Sequence, residues 1–102
     1  MKTFEKICQQ LTAGEFEFTR HALRRAVERN ISEQEICQAA EKAIIIEDYP
    51  ADKYAPSCLV LGFTLNNRPL HIQISYADTD KVRIITLYQP DPDEWIGFSK
   101  RR

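Results

Sequence analysis

The residues of this chain best suited to chemistry are two histidines and the arginines grouped around the first of them. His21, Arg25 and Arg29 recur at i, i+4 and i+8, which sets them on one flank of a helix. An imidazole followed by forked guanidinium groups suits an oxyanion or a phosphate, because arginine offers fixed donors and histidine moves a proton near neutral pH. The second histidine, His71, lies in an alternating run, with Thr86 and Tyr88 in the run that follows. Each feature also has a plainer reading. Arginines on a helix are commonly just solvated, and a single strand histidine is commonly a hydrogen-bonded sheet residue.

Three helices must carry or support the first group. Phe4, Ile7, Cys8 and Leu11 have helical spacing, and Ala13-Gly14 closes a helix over residues 3–13. Glu15 to Phe18 alternates as a short strand, after which Thr19 caps a helix over Arg20 to Arg29. Ala22, Leu23, Ala26 and Val27 form its apolar side, and Asn30 tolerates the left-handed conformation of a helix end. Ser32 with Glu35 makes a capping box for a third helix whose stripe is Ile36, Ala39, Ala40 and Ala43.

The remainder reads as sheet. Ile44-Ile45-Ile46 is a strand, Asp48 to Pro56 is the longest loop, and strand runs follow at Ser57–Leu65, Pro69–Tyr76 and Lys81–Tyr88 before Pro90-Asp91-Pro92 ends the sheet. A two-residue turn at Asn66-Asn67 pairs Phe63 with Leu70, Leu61 with Ile72 and Leu59 with Ile74, making one apolar face. Gly62 then stands across from His71 and leaves space above the imidazole. A four-residue turn over Ala77 to Asp80 adds Val82, Ile84, Thr86 and Tyr88 to the His71 face, whereas a three-residue turn puts Arg83 there instead.

Composition bounds the function. A chain of 102 residues with 43% hydrophobic and 28% charged residues is expected to fold as one domain over residues 1–102. No apolar run approaches the ~20 residues of a membrane span, and Met1 to Glu5 lacks the apolar stretch of a leader, so a cytoplasmic location and no membrane partner are expected. Cys8, Cys37 and Cys58 show no metal or disulfide spacing, and the three glycines are too far apart to cradle a phosphate; no metal or cofactor is expected. The net charge of −1 hides a separation. Thr19 to Asn30 carries four arginines against one glutamate and Lys100-Arg101-Arg102 is wholly basic, so the rest of the chain is at −7. Two basic segments on an acidic body make a local anion site.

Taken together, Phe18-Thr19, His21-Ala22, Arg25, Arg29, Ile31-Ser32, the Ile44 to Glu47 strand, Arg68-Pro69-Leu70-His71, Ile84 to Tyr88 with Pro90, Trp95 and Arg101-Arg102 resemble a small bacterial family of unknown function. That family is itself similar to the RelE- and BrnT-type toxins of type II toxin-antitoxin systems. The resemblance implies an α+β fold, with an antiparallel sheet of about four strands and two or three helices on one face. It also implies a metal-independent endoribonuclease acting on RNA, and an antitoxin partner, such as a small zinc-finger protein. Such cleavage needs a base for the 2′-hydroxyl, an acid for the leaving oxygen and cations for the phosphorane. His21, Arg25 and His71 are then the catalytic candidates, and Arg29, Arg83, Thr86 and Tyr88 the substrate-binding ones. The alternative is a non-enzymatic module whose basic helix face holds an acidic partner segment or nucleic acid.

Overall fold

The computed structural model describes residues 1–53 and 55–102. Along the chain lie α1 (Phe4–Thr12), β1 (Phe16–Phe18), α2 (Arg20–Glu28), α3 (Glu33–Ala40), β2 (Ile44–Tyr49), β3 (Ser57–Phe63), β4 (Pro69–Ser75), β5 (Val82–Tyr88), β6 (Trp95–Ile96) and β7 (Lys100–Arg101). The helices begin where hydroxyls satisfy their first amides. Thr3 accepts from Lys6 N–H, Thr19 from Ala22 N–H, and Ser32 and Glu35 bond reciprocally. After α1 and α2 the chain turns at Gly14 (φ 78°) and Asn30 (φ 54°), both left-handed as expected. The loop expected over residues 48–56 begins later, because β2 runs through Tyr49; Tyr54 lies outside the described residues.

The fold is α+β, but the sheet is neither four-stranded nor wholly antiparallel. Its order is β1-β5-β4-β3-β2, with β1 parallel to β5 through Phe16↔Val82 and Phe18↔Ile84. All three helices bury against one face. Ile7 and Leu11 of α1, Ala22 and Ala26 of α2, and Ile36, Ala39 and Ala40 of α3 meet Cys58, Val60, Leu70, Ile72, Ile74, Val82, Ile84 and Leu87. Leu23 and Val27 were expected in this core; they stand exposed on α2. The cysteines are free, and burial raises the pKa of each, the reverse of what a nucleophilic thiolate needs.

The strand register departs from expectation by one residue, and the faces change with it. Five residues join β3 to β4, and a Thr64 N–H to Arg68 C=O bond narrows them to a three-residue turn, Leu65 to Asn67, in which Asn67 N–H returns to Thr64 C=O and Asn67 takes φ 61°. Leu61 therefore pairs with His71, Gly62 with Leu70 and Val60 with Ile72. Cys58, Val60 and Gly62 turn toward the helices, while Leu59, Leu61 and Phe63 share the far face with His71. Gly62 leaves no space above an imidazole; a Cβ there would stand 2.1 Å from the carbonyl oxygen of Ala39, so α3 rests directly on β3. Between β4 and β5 the register shifts once at the turn and again at a bulge beside Gln73 and Ile74. Val82 and Ile84 thus enter the core, whereas Thr86 and Tyr88 remain on the His71 face.

Beyond Pro90-Asp91-Pro92, where the strand runs end, the chain forms a C-terminal hairpin of β6 and β7 that packs on the far face. Its turn places Gly97 (φ 57°) and Phe98 (φ 62°) in the left-handed region, which for a phenylalanine costs on the order of 1 kcal/mol. His71 secures it. The Phe98 carbonyl lies 2.5 Å from Nε2 and can only accept, so Nε2 carries the proton, and Nδ1 accepts from the Tyr88 hydroxyl at 3.1 Å. Trp95 packs edge-on against the imidazole at 4.4 Å. Arg101 lies over Trp95 at 4.7 Å and grips Glu47 at 2.7 and 3.0 Å. Lys100-Arg101-Arg102 is therefore no free basic patch: Arg101 is spent on Glu47, and Arg102 donates to the Pro92 carbonyl.

Two outcomes follow from this packing. Gly62→Ala must push α3 off the sheet and is expected to cost about 1–3 kcal/mol or more, read as a lower urea midpoint at unchanged slope; an unchanged midpoint would contradict the Ala39 contact. His71 is neutral when folded, since burial lowers its pKa more than the Phe98 carbonyl and Glu47 raise it. The unfolded chain takes a proton near pH 6.5 that folded His71 refuses, so stability is full above that pH and falls as the pH drops below it. Urea titrations between about pH 5 and 7, above the carboxylate range, should show that fall in the parent but not in His71→Gln. A parent midpoint constant across the window would exclude the neutral imidazole.

Candidate functional site

Helix α2 lies along β5 where β1 has ended. At its start the Thr19 amide and hydroxyl donate to the carbonyls of Ile84 (3.0 Å) and Ile85 (3.1 Å); at its end Arg29 Nη1 donates to the Leu87 carbonyl at 2.8 Å. The helix thus satisfies the strand edge that β1 leaves open. Ala22 and Ala26 allow the close approach, and Arg29 comes to rest with its guanidinium carbon 6.0 Å from the centroid of the Tyr88 ring.

Arg68 fixes the other side of this corner. Its guanidinium donates to the carbonyls of Arg29 and Asn30 (2.9 Å each), to both oxygens of Glu35 (3.1 and 3.0 Å) and to Gln89 Oε1 (2.9 Å). The last carbonyls of α2, the capping box of α3 and the end of β5 are joined by one side chain. Burial acts to raise the pKa of Glu35, but the Ser32 amide and Arg68 outweigh it and hold the carboxyl below its ordinary value. An open cleft of about 460 Å³ results, lined by Arg29, Arg68, Tyr88, Gln89, Asp91 and Glu94.

The expected site residues are only partly brought together. Arg29 and Tyr88 meet in the cleft, and His71 stands directly behind Tyr88 with no exposed surface and both ring nitrogens bonded. His71 borders no open surface, so it cannot act on a substrate directly, and the paired use of His21 and His71 on one phosphate is not supported. His21 is exposed at the start of α2, about 12 Å of helix rise from Arg29, and lines no part of the cleft. Arg25 is occupied by Glu28 at 2.9 Å. Arg83 pairs with Glu17 at 3.3 Å, five residues down β5, on the order of 16 Å from Tyr88. Thr86 shares the face of Tyr88 but sits opposite Gln73, outside the cleft lining. Arg68 was not named as a site residue, although it stands in the Arg68-Pro69-Leu70-His71 run that carries the family resemblance.

Chemically, the cleft offers the guanidinium of Arg29, beside that of Arg68, which is engaged by Arg29, Asn30, Glu35 and Gln89, and one phenol whose proton has a defined destination. Burial raises the pKa of Tyr88, so the hydroxyl stays protonated and donates inward to His71 Nδ1, leaving its oxygen lone pairs as acceptors. Asp91 and Glu94 make the opposite wall acidic and confine an anion to the Arg29 side. Among the described residues, no group of three or more His, Cys, Asp or Glu side chains is placed to hold a metal ion.

Comparison with known proteins adds a family and nothing about activity. No curated protein and no solved structure matches the chain. Residues 18–89, from the last residue of β1 to just past β5, match the family described as Domain of unknown function (DUF4258). That span covers most of the chain, including Arg29, Arg68, His71 and Tyr88, and the protein belongs to this family.

Proposed function

We propose that this protein is the toxin of a type II toxin-antitoxin pair, a cytoplasmic RelE-like endoribonuclease that cleaves RNA without a metal at the Arg29-Tyr88 cleft and is held by a protein antitoxin. The observation that carries the reading is the chain Arg29, Tyr88, His71: a cation over a phenol that faces an open cleft and is hydrogen-bonded to a buried neutral imidazole. An RNA phosphate rests against Arg29, and the neighbouring ribose hydroxyl meets the outer lone pairs of Tyr88. As the 2′-oxygen attacks phosphorus, its proton passes to Tyr88 Oη while the phenol proton passes to His71 Nδ1, so the phenol is restored and the imidazole becomes the cation. Arg29 stabilises the charge that develops on the phosphorane. The bond to the 5′-oxygen breaks, that oxygen takes a proton from a water in the open cleft, the hydroxide so formed takes back the proton held by His71 through Tyr88, and a 2′,3′-cyclic phosphate is left. His71 is a positioning and proton-accepting residue that acts through Tyr88.

The test is cleavage of a single-stranded RNA oligonucleotide in the presence of EDTA, with the ends analysed for cyclic phosphate. Tyr88→Phe is expected to lose about 10²- to 10⁴-fold in rate while still binding RNA. Arg29→Ala should weaken binding and lower the salt slope by about 1, and Arg25→Ala should do neither, since Arg25 is already paired. Parent-level cleavage by Tyr88→Phe would remove the relay. Binding without cleavage by the parent would leave the cleft as a nucleic-acid-holding module.

A further inference from the structure

The flank of α2 turned away from the cleft carries a second feature that RNA chemistry does not use. Leu23 (53% exposed) and Val27 (74% exposed) stand one turn apart and, with Phe18 and Ile31, give the apolar side of a groove of about 490 Å³ between α2 and the start of α3, whose far end is polar, at Asn30, Ser32 and Glu33. On the crest of the helix beside them are Arg20 and Arg24, which have no hydrogen-bond or ion-pair partner among the described residues. At about 100° per residue, Arg20, Leu23, Arg24 and Val27 share one face of α2, and Arg25 and Arg29 lie around the other side.

We infer that this face is the docking surface for an acidic partner protein, which lays an amphipathic helix into the groove with its apolar residues on Leu23 and Val27 and its carboxylates on Arg20 and Arg24. The groove is built from side chains of a helix and the entry to the next, the setting in which a helix is read through residues at i, i+4 and i+7. Two unpaired guanidinium groups beside apolar surface favour carboxylates next to leucine-like residues. A second copy of this chain fits poorly: pairing α2 on itself about the Leu23-Val27 centre brings the two Arg24 side chains together. RNA fits poorly as well, because Leu23 and Val27 offer it nothing. The inference assigns the partner surface of the toxin reading, and its test is read by binding alone, so a failure to cleave RNA does not bear on it.

The probe is a pair of labelled helical peptides of about 20 residues, each with leucines at i, i+4 and i+7, flanked by glutamates in one and lysines in the other. Fluorescence anisotropy against the full chain is expected to show the acidic peptide binding at least about tenfold tighter. Val27→Asp and Leu23→Asp, both at exposed positions and checked for fold by circular dichroism, should each weaken it by roughly tenfold. Arg20→Glu with Arg24→Glu should reverse the preference in favour of the lysine peptide. No binding of the acidic peptide up to about 1 mM, equal binding of both peptides, or Val27→Asp binding like the parent would overturn the inference. So would a concentration-dependent dimer of the parent that Val27→Asp abolishes, because the face would then be occupied by a second copy.

Discussion

The geometry of the cleft depends on where the guanidinium of Arg68 sits. Three separate pieces of chain end at the same corner: the carbonyls of Arg29 and Asn30 finish α2, Glu35 closes the capping box of α3, and Gln89 follows β5. Each ending leaves polar groups that need partners, and Arg68 supplies donors to all of them. A lysine would have the charge but not the planar fork that reaches carbonyls and carboxylate at once. Because α2 is anchored at this end, Arg29 is held over Tyr88 although its own side chain is exposed. The positioning of a surface cation is thus a consequence of how two helix ends are satisfied.

Behind that corner the sheet has two faces with different tasks. One is apolar throughout and carries all three helices, with Gly62 giving up its side chain so that the backbone of Ala39 can approach. The other is mixed: the short C-terminal hairpin covers its His71 end, and Asp52, after β2, accepts from Ser57 and Gln73 at the other. A two-stranded ribbon of this size has little stability by itself. It is retained by side chains planted in the sheet, namely His71 under Phe98 and Trp95, and Glu47 with Arg101. The Arg101 hydrogen bonds hold Glu47 below its ordinary pKa; Tyr49 also donates to Glu47, and burial first, then that bond, push the Tyr49 phenol up to about 12.

Local signals were legible in the residues where local physics decides. Thr19, the Ser32-Glu35 box, Gly14 and Asn30 mark helix boundaries because each satisfies or relaxes a specific backbone group. The two-residue strands β6 and β7 were not expected, whereas the runs of β1 to β5 were equally clear. Their pairing was not, because one residue of loop length inverts every side chain: taking Asn66-Asn67 as the whole turn, when Leu65 belongs to it too, moved Leu59, Leu61 and Phe63 to the wrong face. The bulge beside Gln73 reversed the parity within β5, so Thr86 and Tyr88 were placed correctly while Val82 and Ile84 were not. Neither event leaves a local sign. The site suffered likewise: Arg29 and Tyr88 were named from spacing and strand parity, but Arg68, whose partners lie more than twenty residues away, could not be.

The same imidazole serves the fold and the proposed relay, and the two uses set opposite requirements. As a neutral Nε2–H tautomer, His71 accepts from Tyr88 and donates to Phe98, which satisfies every polar atom it buries. As an imidazolium it would keep the Phe98 bond and turn the Tyr88 contact around, at the cost of holding a charge away from water. Burial opposes that charge most strongly, with the Phe98 carbonyl and Glu47 favouring it and Arg101 opposing. An imidazole that resists its proton is a weak base at rest, and a proton forced onto it during a reaction is readily returned through the phenol once the product leaves. Burial therefore gives the proposed relay its direction of reset: the packing that seals His71 beneath the hairpin drives the proton back outward, against the Phe98 carbonyl that favours keeping it.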